Sequence, residues 1–216
     1  VSEDTVRRDL EELERTGRLK KVRGGATVLD FIPSFKKREV IEIQKKFVIA
    51  KKAVQLIRDG QVLLIDGGTT NLQLVNVFPS DIKFTVFTNS IPVASKLCEF
   101  PNIDGVLLGG NILRKGHTTI GYHALESLQD IHADMCFLGI TSVDLVAGLT
   151  EADRQETTFK RAMINASNKV ISMVVSSKLN TRQPFKVCEI DNLSTMITEL
   201  DPEDDMTRAY KARGLE

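Results

Sequence analysis

No two cysteines stand close together in this chain of 216 residues. Cys98, Cys136 and Cys188 are widely spaced, sit beside apolar neighbours as in "MCFLGI", and form no C-x-x-C pair. An odd count at such spacing argues against a disulfide framework and against a zinc site, and it points to the reducing cytoplasm. An excess of charge of one sign is also missing: Lys+Arg and Asp+Glu both number 29. That balance excludes a uniformly basic nucleic-acid binder and leaves room for a local basic patch. No apolar run approaches the ~20 residues that span a bilayer, so no membrane partner is expected, and no secretory leader stands at the start. There is no internal repeat and no low-complexity tract. His117, His123 and His132 are the only histidines. They follow neither a nucleophile pattern nor a metal-ligand pattern, so no metal and no cofactor is expected, and loop or surface positions suit them. An initiator Met is lacking too, and Val1 already stands at a helix start, so the natural protein is expected to be longer.

What is present divides into a small and a large part. A chain that is 42% hydrophobic can build one domain of moderate size plus an appendage. The opening "VSEDTVRRDLEELERTGRLKKVRGG" reads as a helix and a short hairpin. Ser2 can cap the helix, and Glu3 and Asp4 suit its first turn. Val6, Leu10 and Leu13 form an apolar stripe, and Gly17 supplies the C-terminal stop. Leu19 and Val22 alternate in a strand that runs into Gly24-Gly25. One helix and one hairpin cannot bury a core alone. Ser2 and Thr5 lie at the helix end that, in a helix-turn-helix, faces base edges and phosphates. Arg7 and Arg8 fall off the stripe or at its edge, and Lys20, Lys21 and Arg23 cluster where a wing reaches the DNA backbone. The first 25 residues carry seven Lys/Arg and six Asp/Glu. Charge alone therefore favours a solvated helix with Glu–Arg pairs such as Glu11–Arg15, worth only ~0.3 kcal/mol.

"ATVLDFIPSFKKREV", with one proline and mixed polarity, reads as a linker. The expected organisation is 1–28 for the DNA-reading part, 29–45 for the linker and 46–216 for the large domain. A helix follows the linker on the stripe Phe47, Ala50, Val54 and Ile57, and ends at Asp59-Gly60. From there apolar runs ("QVLLID", "FTVFT", "DGVLLGG", "MCFLGI", "KVISMVV", "STMITEL") alternate with helical stretches. One of these helices puts Phe159, Ala162, Met163 and Ala166 on one face. Such alternation predicts an α/β fold, a mostly parallel sheet with helices on both faces. Ligands of these sheets bind outside the carboxyl ends of the strands.

The residues just after the runs are small and polar: Asp66-Gly67-Gly68-Thr69-Thr70, Thr88-Asn89-Ser90, Gly109-Gly110-Asn111, Gly139-Ile140-Thr141-Ser142 and Ser176-Ser177-Lys178. In the first, glycines let backbone N–H groups approach a ligand, the following helix adds positive partial charge, and the threonines add hydroxyls. That is a sensible phosphate cradle, although neither a P-loop nor the dinucleotide fingerprint is matched. A Gly-Gly turn alone is as often only a turn; five strand ends of one character favour the cradle. Lys178 and Lys160 are the cations placed to complete anion binding, and Arg154 is a weaker candidate in a loop. Read by spacing alone, Glu156 and Lys160 are an ordinary i,i+4 surface pair.

"SEDTVRRDLEEL", followed by "GRLKKVRGGA", closely resembles the recognition helix and wing of DeoR-family transcription regulators. "K-x-x-I-A-x-x-A" (Lys46 to Ala53), "IDGGTT", "TNS", "LLGG", "GLT" and "E-x-x-x-K-R-A-M" resemble, in order, the sensor domain of the same family. The likeness spans nearly the whole chain. It implies a domain similar to sugar-phosphate isomerases and CoA transferases, preceded by a partial winged helix-turn-helix whose first two helices are absent. It also implies that Ser2, Thr5, Arg7, Arg8 and Arg23 face operator DNA. The implied effector pocket comprises Asp66, Gly67, Gly68, Thr69, Thr70, Thr88, Asn89, Ser90, Gly109, Gly110, Glu156, Lys160 and Lys178. Its ligand would be a phosphorylated sugar or related metabolite. The chain departs from the family pattern at Val175, where Asp is common, and at Ser142, where Gly is common; both bear on which effector fits.

The resulting expectation is a ligand-responsive, homo-oligomeric DNA-binding repressor acting through linkage between sensor and reader. The alternatives are an isomerase-like enzyme, with Asp66, Glu151 or Glu156 as base and Lys178 stabilising charge, and an interaction module with a vestigial pocket. The recognition helix favours the regulator, since an enzyme has no need of it.

Overall fold

The computed structural model describes residues 3–15, 19–22, 25–28 and 32–215, and the chain divides into two compact units, Val1–Ser34 and Phe35–Glu216. In the first unit, helix α1 spans Glu3–Arg15, with Glu3 and Asp4 in the first turn opposing the positive end of the helix dipole. Strands β1 (Leu19–Val22) and β2 (Gly25–Val28) pair antiparallel from Leu19↔Val28 to Val22↔Gly25. Thr5, Arg7 and Arg8 are exposed on α1. Val6 is exposed and Leu10 half-buried, so the first position of the expected stripe stays open on this unit. Ser2, Gly17, Arg23 and Gly24 lie outside the described residues.

The second unit begins with α2 (Phe35–Val40) and α3 (Ile43–Ala53), followed by a short 3-10 turn at Val54–Leu56. Then come β3 (Val62–Ile65), α4 (Thr69–Asn76), β4 (Phe84–Thr88), α5 (Ile91–Leu97) and β5 (Ile103–Leu107). A hairpin of β6 (Asn111–Leu113) and β7 (Thr118–Ile120) precedes α6 (Tyr122–Glu126) and β8 (Ala133–Leu138). The chain continues with β9 (Ser142–Asp144), β10 (Gly148–Glu151), α7 (Arg154–Asn165) and β11 (Ser167–Met173). It closes with β12 (Phe185–Cys188), β13 (Thr195–Ile197) and α8 (Asp205–Lys211).

The main sheet has six strands in the order β13-β11-β8-β3-β4-β5, and every pairing is parallel. Successive side chains along each strand point to opposite faces. Leu63, Ile65, Val86, Met135, Phe137, Ile171 and Met173 therefore pack with residues of α3, α4 and α5. Leu64, Cys136, Leu138 and Val170 pack on the other face with residues of α6, α7 and α8. This is the expected parallel sheet with helices on both faces. The alternation of runs does not foretell the three-stranded antiparallel sheet β12-β10-β9 or the β6–β7 hairpin. Their strands are three or four residues long, too short for periodicity to show.

Residues 35–45, read from sequence as linker, are largely helical and belong to the second unit. Phe35 is buried and stacks on the His117 ring at 4.8 Å. The buried amine of Lys46 donates to the carbonyl oxygens of Arg38, in the last turn of α2, and of Ile41, just after it. The buried face of α3 runs through Lys46, Ile49, Ala50 and Ala53, while Phe47 lies open to solvent, so the face is rotated from the expected stripe. A lysine in the buried row is what hides this face from a hydrophobic pattern. The departures at 142 and 175 are also packed inward. Val175 is buried in the apolar layer with Met173 and Ile197, and buried Ser142 pairs with Thr150 between β9 and β10. The Val175 side chain thus belongs to the core and not to a polar rim. The three cysteines are free thiols, and among the described residues no helix is long and apolar enough to cross a membrane.

Phe137 is fully buried in β8, at the centre of the sheet. Phe137→Ala is expected to cost ~3–5 kcal/mol in denaturant or thermal unfolding of the second unit; a loss below ~1 kcal/mol would contradict this placement of the core.

Candidate functional site

Because all six strands of the main sheet run parallel, their carboxyl ends share one rim. The turn after β3 begins with Asp66, buried to 2% exposure. Its Oδ1 accepts from the Gly67 N–H at 2.7 Å and its Oδ2 from the Gly139 N–H at 3.1 Å. Its second oxygen also pairs with the amine of Lys160 from α7. Lys160 donates further to the Gly139 carbonyl at 2.8 Å and lies 3.6 Å from Glu151 Oε1. Glu151, at the end of β10, accepts from the Thr141 N–H at 3.0 Å and from its hydroxyl at 2.5 Å. The ends of β3, β8 and β10 are therefore clamped to α7 by charge-assisted hydrogen bonds.

Close approach explains two of the glycines. A Cβ on Gly139 would lie 2.1 Å from the Gly67 carbonyl oxygen, and one on Gly67 would lie 2.2 Å from Thr118 Cγ2. Asn71 on α4, also buried, donates to the carbonyls of Asp66 (2.8 Å) and Phe137 (3.0 Å), fixing the turn to β8. Gly68, Thr69 and Thr70 follow as the N-cap and first turn of α4, with both threonines buried.

Beside this turn, the segment after β4 divides its work. The Thr88 hydroxyl donates to the Ile65 carbonyl (2.6 Å) and accepts from the Ser90 N–H (3.0 Å), while Ser90 caps α5 through the Val93 N–H. These two hydroxyls hold the turn. Asn89 donates from Nδ2 to the Thr119 carbonyl at 3.3 Å, and its buried Oδ1 has no partner. Thr118 Oγ1 is likewise buried and unpartnered. Both this hydroxyl and Glu156 Oε1 lie 2.9 Å from where a Cβ on Gly116 would sit. Among the described residues, the third buried side-chain atom without a partner is Arg38 Nε. Buried polar atoms normally find partners, and these three adjoin one segment, residues 115–119. Arg38 contacts the Lys115 carbonyl, Asn89 the Thr119 carbonyl, and Thr118 lies within it.

Lys178, on the turn after β11, donates to the Ile140 carbonyl. Burial lowers its pKa to about 8 against the pull of Glu151. Burial pushes Glu156 up to about 7, with Lys160 opposing and Glu151 adding to the rise. For Lys160 burial acts downward, but Asp66, Glu151 and Glu156 outweigh it and hold the amine charged. The surface-pair reading of Glu156 and Lys160 does not hold: Lys160 is buried and Glu156 half-buried on the same face of α7. Gly109 and Gly110 follow β5; they are exposed at the margin, next to Leu108, whose N–H donates to the Thr88 carbonyl and whose carbonyl accepts from Thr119. Arg154 is exposed at the start of α7 and not in a loop.

The strand-end segments 66–70, 88–90, 109–110, 139–141 and 176–178 thus share the rim. Sequence reasoning passed over Arg38 and Thr118 and left Gly139 out of the expected pocket. Gly139 was visible as a small residue after a strand, but Arg38 lay inside an apparent linker, and Thr118 in a hairpin too short to read. A separate cavity of about 300 Å³ lies by β13, α3 and α8. Leu56, Met196, Leu200 and Tyr210 are among its lining residues, and it shares none of the rim residues.

Comparison with known proteins yields two family models. The DeoR C terminal sensor domain matches residues 41–200, and the DeoR-like helix-turn-helix domain matches residues 1–31. The HTH-type transcriptional regulator GolR of Listeria innocua is 29% identical over the whole chain and 86% of its own length. The HTH-type transcriptional repressor GlcR of Bacillus subtilis is 31% identical over the whole chain and 84% of its own length. Among solved structures, the tetrameric eIF2B-beta2-delta2 complex of C. thermophilum contains a chain similar in fold. It superposes with a TM-score of 0.53 at 14% identity, over 79% of this chain and 60% of that one.

Two measurements test the geometry of the rim. Removing one member of the buried pair, as in Asp66→Asn or Lys160→Met, is expected to cost ~3–5 kcal/mol because the other charge is left uncompensated. The double variant should recover part of that loss in urea unfolding. A carboxyl whose pKa rises from 4.5 to about 7 on folding gives stability that is complete below pH 4.5 and lost as pH climbs to about 7. Glu156→Gln should therefore gain thermal stability relative to the parent between pH 5 and pH 8; a flat difference across that range would contradict the half-buried placement of Glu156.

Proposed function

Because the chain belongs to the DeoR family of transcriptional regulators, we propose that its rim binds a phosphorylated sugar or related metabolite and that occupancy alters repression at an operator. The observation that carries this reading is the set of unpartnered buried atoms at one strand-end rim. Asn89 Oδ1 is an acceptor and calls for a ligand hydroxyl, whereas the Thr118 hydroxyl can donate to an anionic oxygen. Gly68 and the first turn of α4 add N–H groups and positive partial charge. Lys178 supplies a cation, since Lys160 is already engaged by Asp66 and Glu151. A ligand that carries both hydroxyls and an anionic group fits this mixture better than a purely apolar or purely cationic one.

In this reading Ser2, Thr5, Arg7, Arg8 and Arg23 contact operator DNA, and a homo-oligomer sets the spacing of two recognition helices. The effector then acts by linkage, and a coupling of ~1–3 kcal/mol changes occupancy of the operator 5- to 150-fold. An isomerase would need a carboxylate free to take a proton. Of the three candidate bases, Asp66 and Glu151 are engaged at the rim. Glu156, pushed up to about 7 by burial, is left for that role, and what weighs against an enzyme is that the relatives named above are regulators.

A thermal-shift screen with ribose 5-phosphate, glucose 6-phosphate, fructose 6-phosphate and the unphosphorylated sugars tests the proposal. A phosphorylated sugar at 100 times its dissociation constant should stabilise by ~2.7 kcal/mol. In the full-length protein, Arg7→Ala should weaken operator binding and leave that stabilisation intact, while Lys178→Ala should do the reverse. Both variants changing the same property would refute the division of labour.

A further inference from the structure

Arg38 has five donors, yet its guanidinium makes a single long hydrogen bond, 3.4 Å to the Lys115 carbonyl. Its Nε is buried without a partner. Among the described residues no carboxylate lies within ion-pairing distance of it, although Glu156 and Glu151 are near enough to act on its charge. Lys178 feels Arg38 in turn. The guanidinium is half-buried and faces a charged rim, and its buried Nε is costly unless something else occupies it.

The element that carries Arg38 is held firmly in place. Phe35, one turn earlier, stacks on His117, and the Arg38 guanidinium lies 5.8 Å from the Phe35 ring centre. Lys46 pins the Arg38 carbonyl from below. On the other side, Glu42 sits between α2 and α3 with φ of 53°, a left-handed conformation that a non-glycine residue adopts only when its surroundings hold it there. Its carboxylate accepts from the Ser177 hydroxyl at 2.8 Å and from Lys45 at 3.0 Å, and Lys45 also bonds Ser176 Oγ and pairs with Glu199. Residues 35–46 therefore strap the rim, fastened at 115–117 on one side and at 176–178 on the other. In the chain this strap directly follows the unit that ends at Ser34.

Resting on the reading of an anionic effector, we propose that Arg38 is a phosphate ligand of the site and that effector occupancy is transmitted through α2, the element following the DNA-reading unit. A phosphate oxygen at the rim would satisfy the buried Nε of Arg38, and could accept from a terminal N–H as well, with charge-assisted bonds. Bound effector then ties α2 to the strand ends, and release removes that tie while the contacts of Phe35, Lys46 and the Glu42 joint remain.

Wild type, Arg38→Gln and Arg38→Lys are titrated by calorimetry with inorganic phosphate, ribose 5-phosphate, glucose 6-phosphate and fructose 6-phosphate, and with the three bare sugars. Hydrogen exchange of residues 35–40 is followed in the wild type. The expected result is wild-type binding of a phosphorylated probe, weakened roughly 10- to 100-fold in Arg38→Gln and less in Arg38→Lys. Exchange in α2 should slow when that probe is added, and affinity for the bare sugars should be unchanged. Equal binding by wild type and both variants overturns the role of Arg38 and leaves the effector reading standing. Equal loss for bare and phosphorylated sugars shows a structural role and also overturns it. Should Arg38→Gln fail to fold, Arg38→Lys and the exchange data decide, and unchanged exchange at 35–40 refutes transmission through α2. If the wild type binds none of the phosphorylated probes, the effector reading itself falls, and this inference with it.

Discussion

The buried pair of Asp66 and Lys160 is the constraint around which the second unit is organised. Asp66 ends β3, Lys160 comes from α7 almost a hundred residues later, and both are nearly inaccessible to water. Such a pair is tolerated only when further hydrogen bonds satisfy both ions. Here Gly67 and Gly139 donate to the carboxylate, and the Gly139 carbonyl and Glu151 share the amine. Every one of those partners lies at a strand end, so satisfying the two charges also fixes the shape of the rim. The requirement explains why glycine stands at 139, where the Gly67 backbone comes too close for a side chain; at 67 it is the Thr118 methyl that leaves no room.

This arrangement divides the rim into side chains whose polar atoms are satisfied and side chains whose polar atoms are not. Thr88, Ser90, Asn71, Asp66, Glu151 and Lys160 spend their hydrogen bonds on the protein. Asn89, Thr118 and Arg38 keep buried atoms unspent. Leaving polar atoms unpaired costs stability, and a folded chain retains such a cost where a ligand or a conformational step offsets it. Functional sites are the expected place for that local violation.

Much of the large unit was legible in the sequence because parallel strands buried on both faces read as short aliphatic runs. "VLLI", "FTVFT" and "MCFL" each coincide with an observed strand. The turns after them were legible because a strand–helix turn needs glycine or small polar residues. The short antiparallel strands β9, β10 and β12 were not, since three or four residues carry no usable period. Nor was the strap legible. Its one buried aromatic, Phe35, is surrounded by charge in "SFKKREV", and its buried lysine, Lys46, breaks the apolar row of α3.

By itself, the sequence determined the alternation of strands and helices, the small polar strand ends and the opening recognition-helix pattern, because each depends on neighbours within about ten residues. Only the tertiary structure decided which side chain does what at the rim. Glu156 and Lys160 are indistinguishable by spacing from a solvated i,i+4 pair; burial against Asp66, 94 positions away in the chain, makes Lys160 part of the scaffold. Arg38 is indistinguishable from the lysines beside it until Phe35 and Lys46 turn its helix toward the strand ends. Such roles arise from contacts between distant segments, and a local pattern carries no record of them.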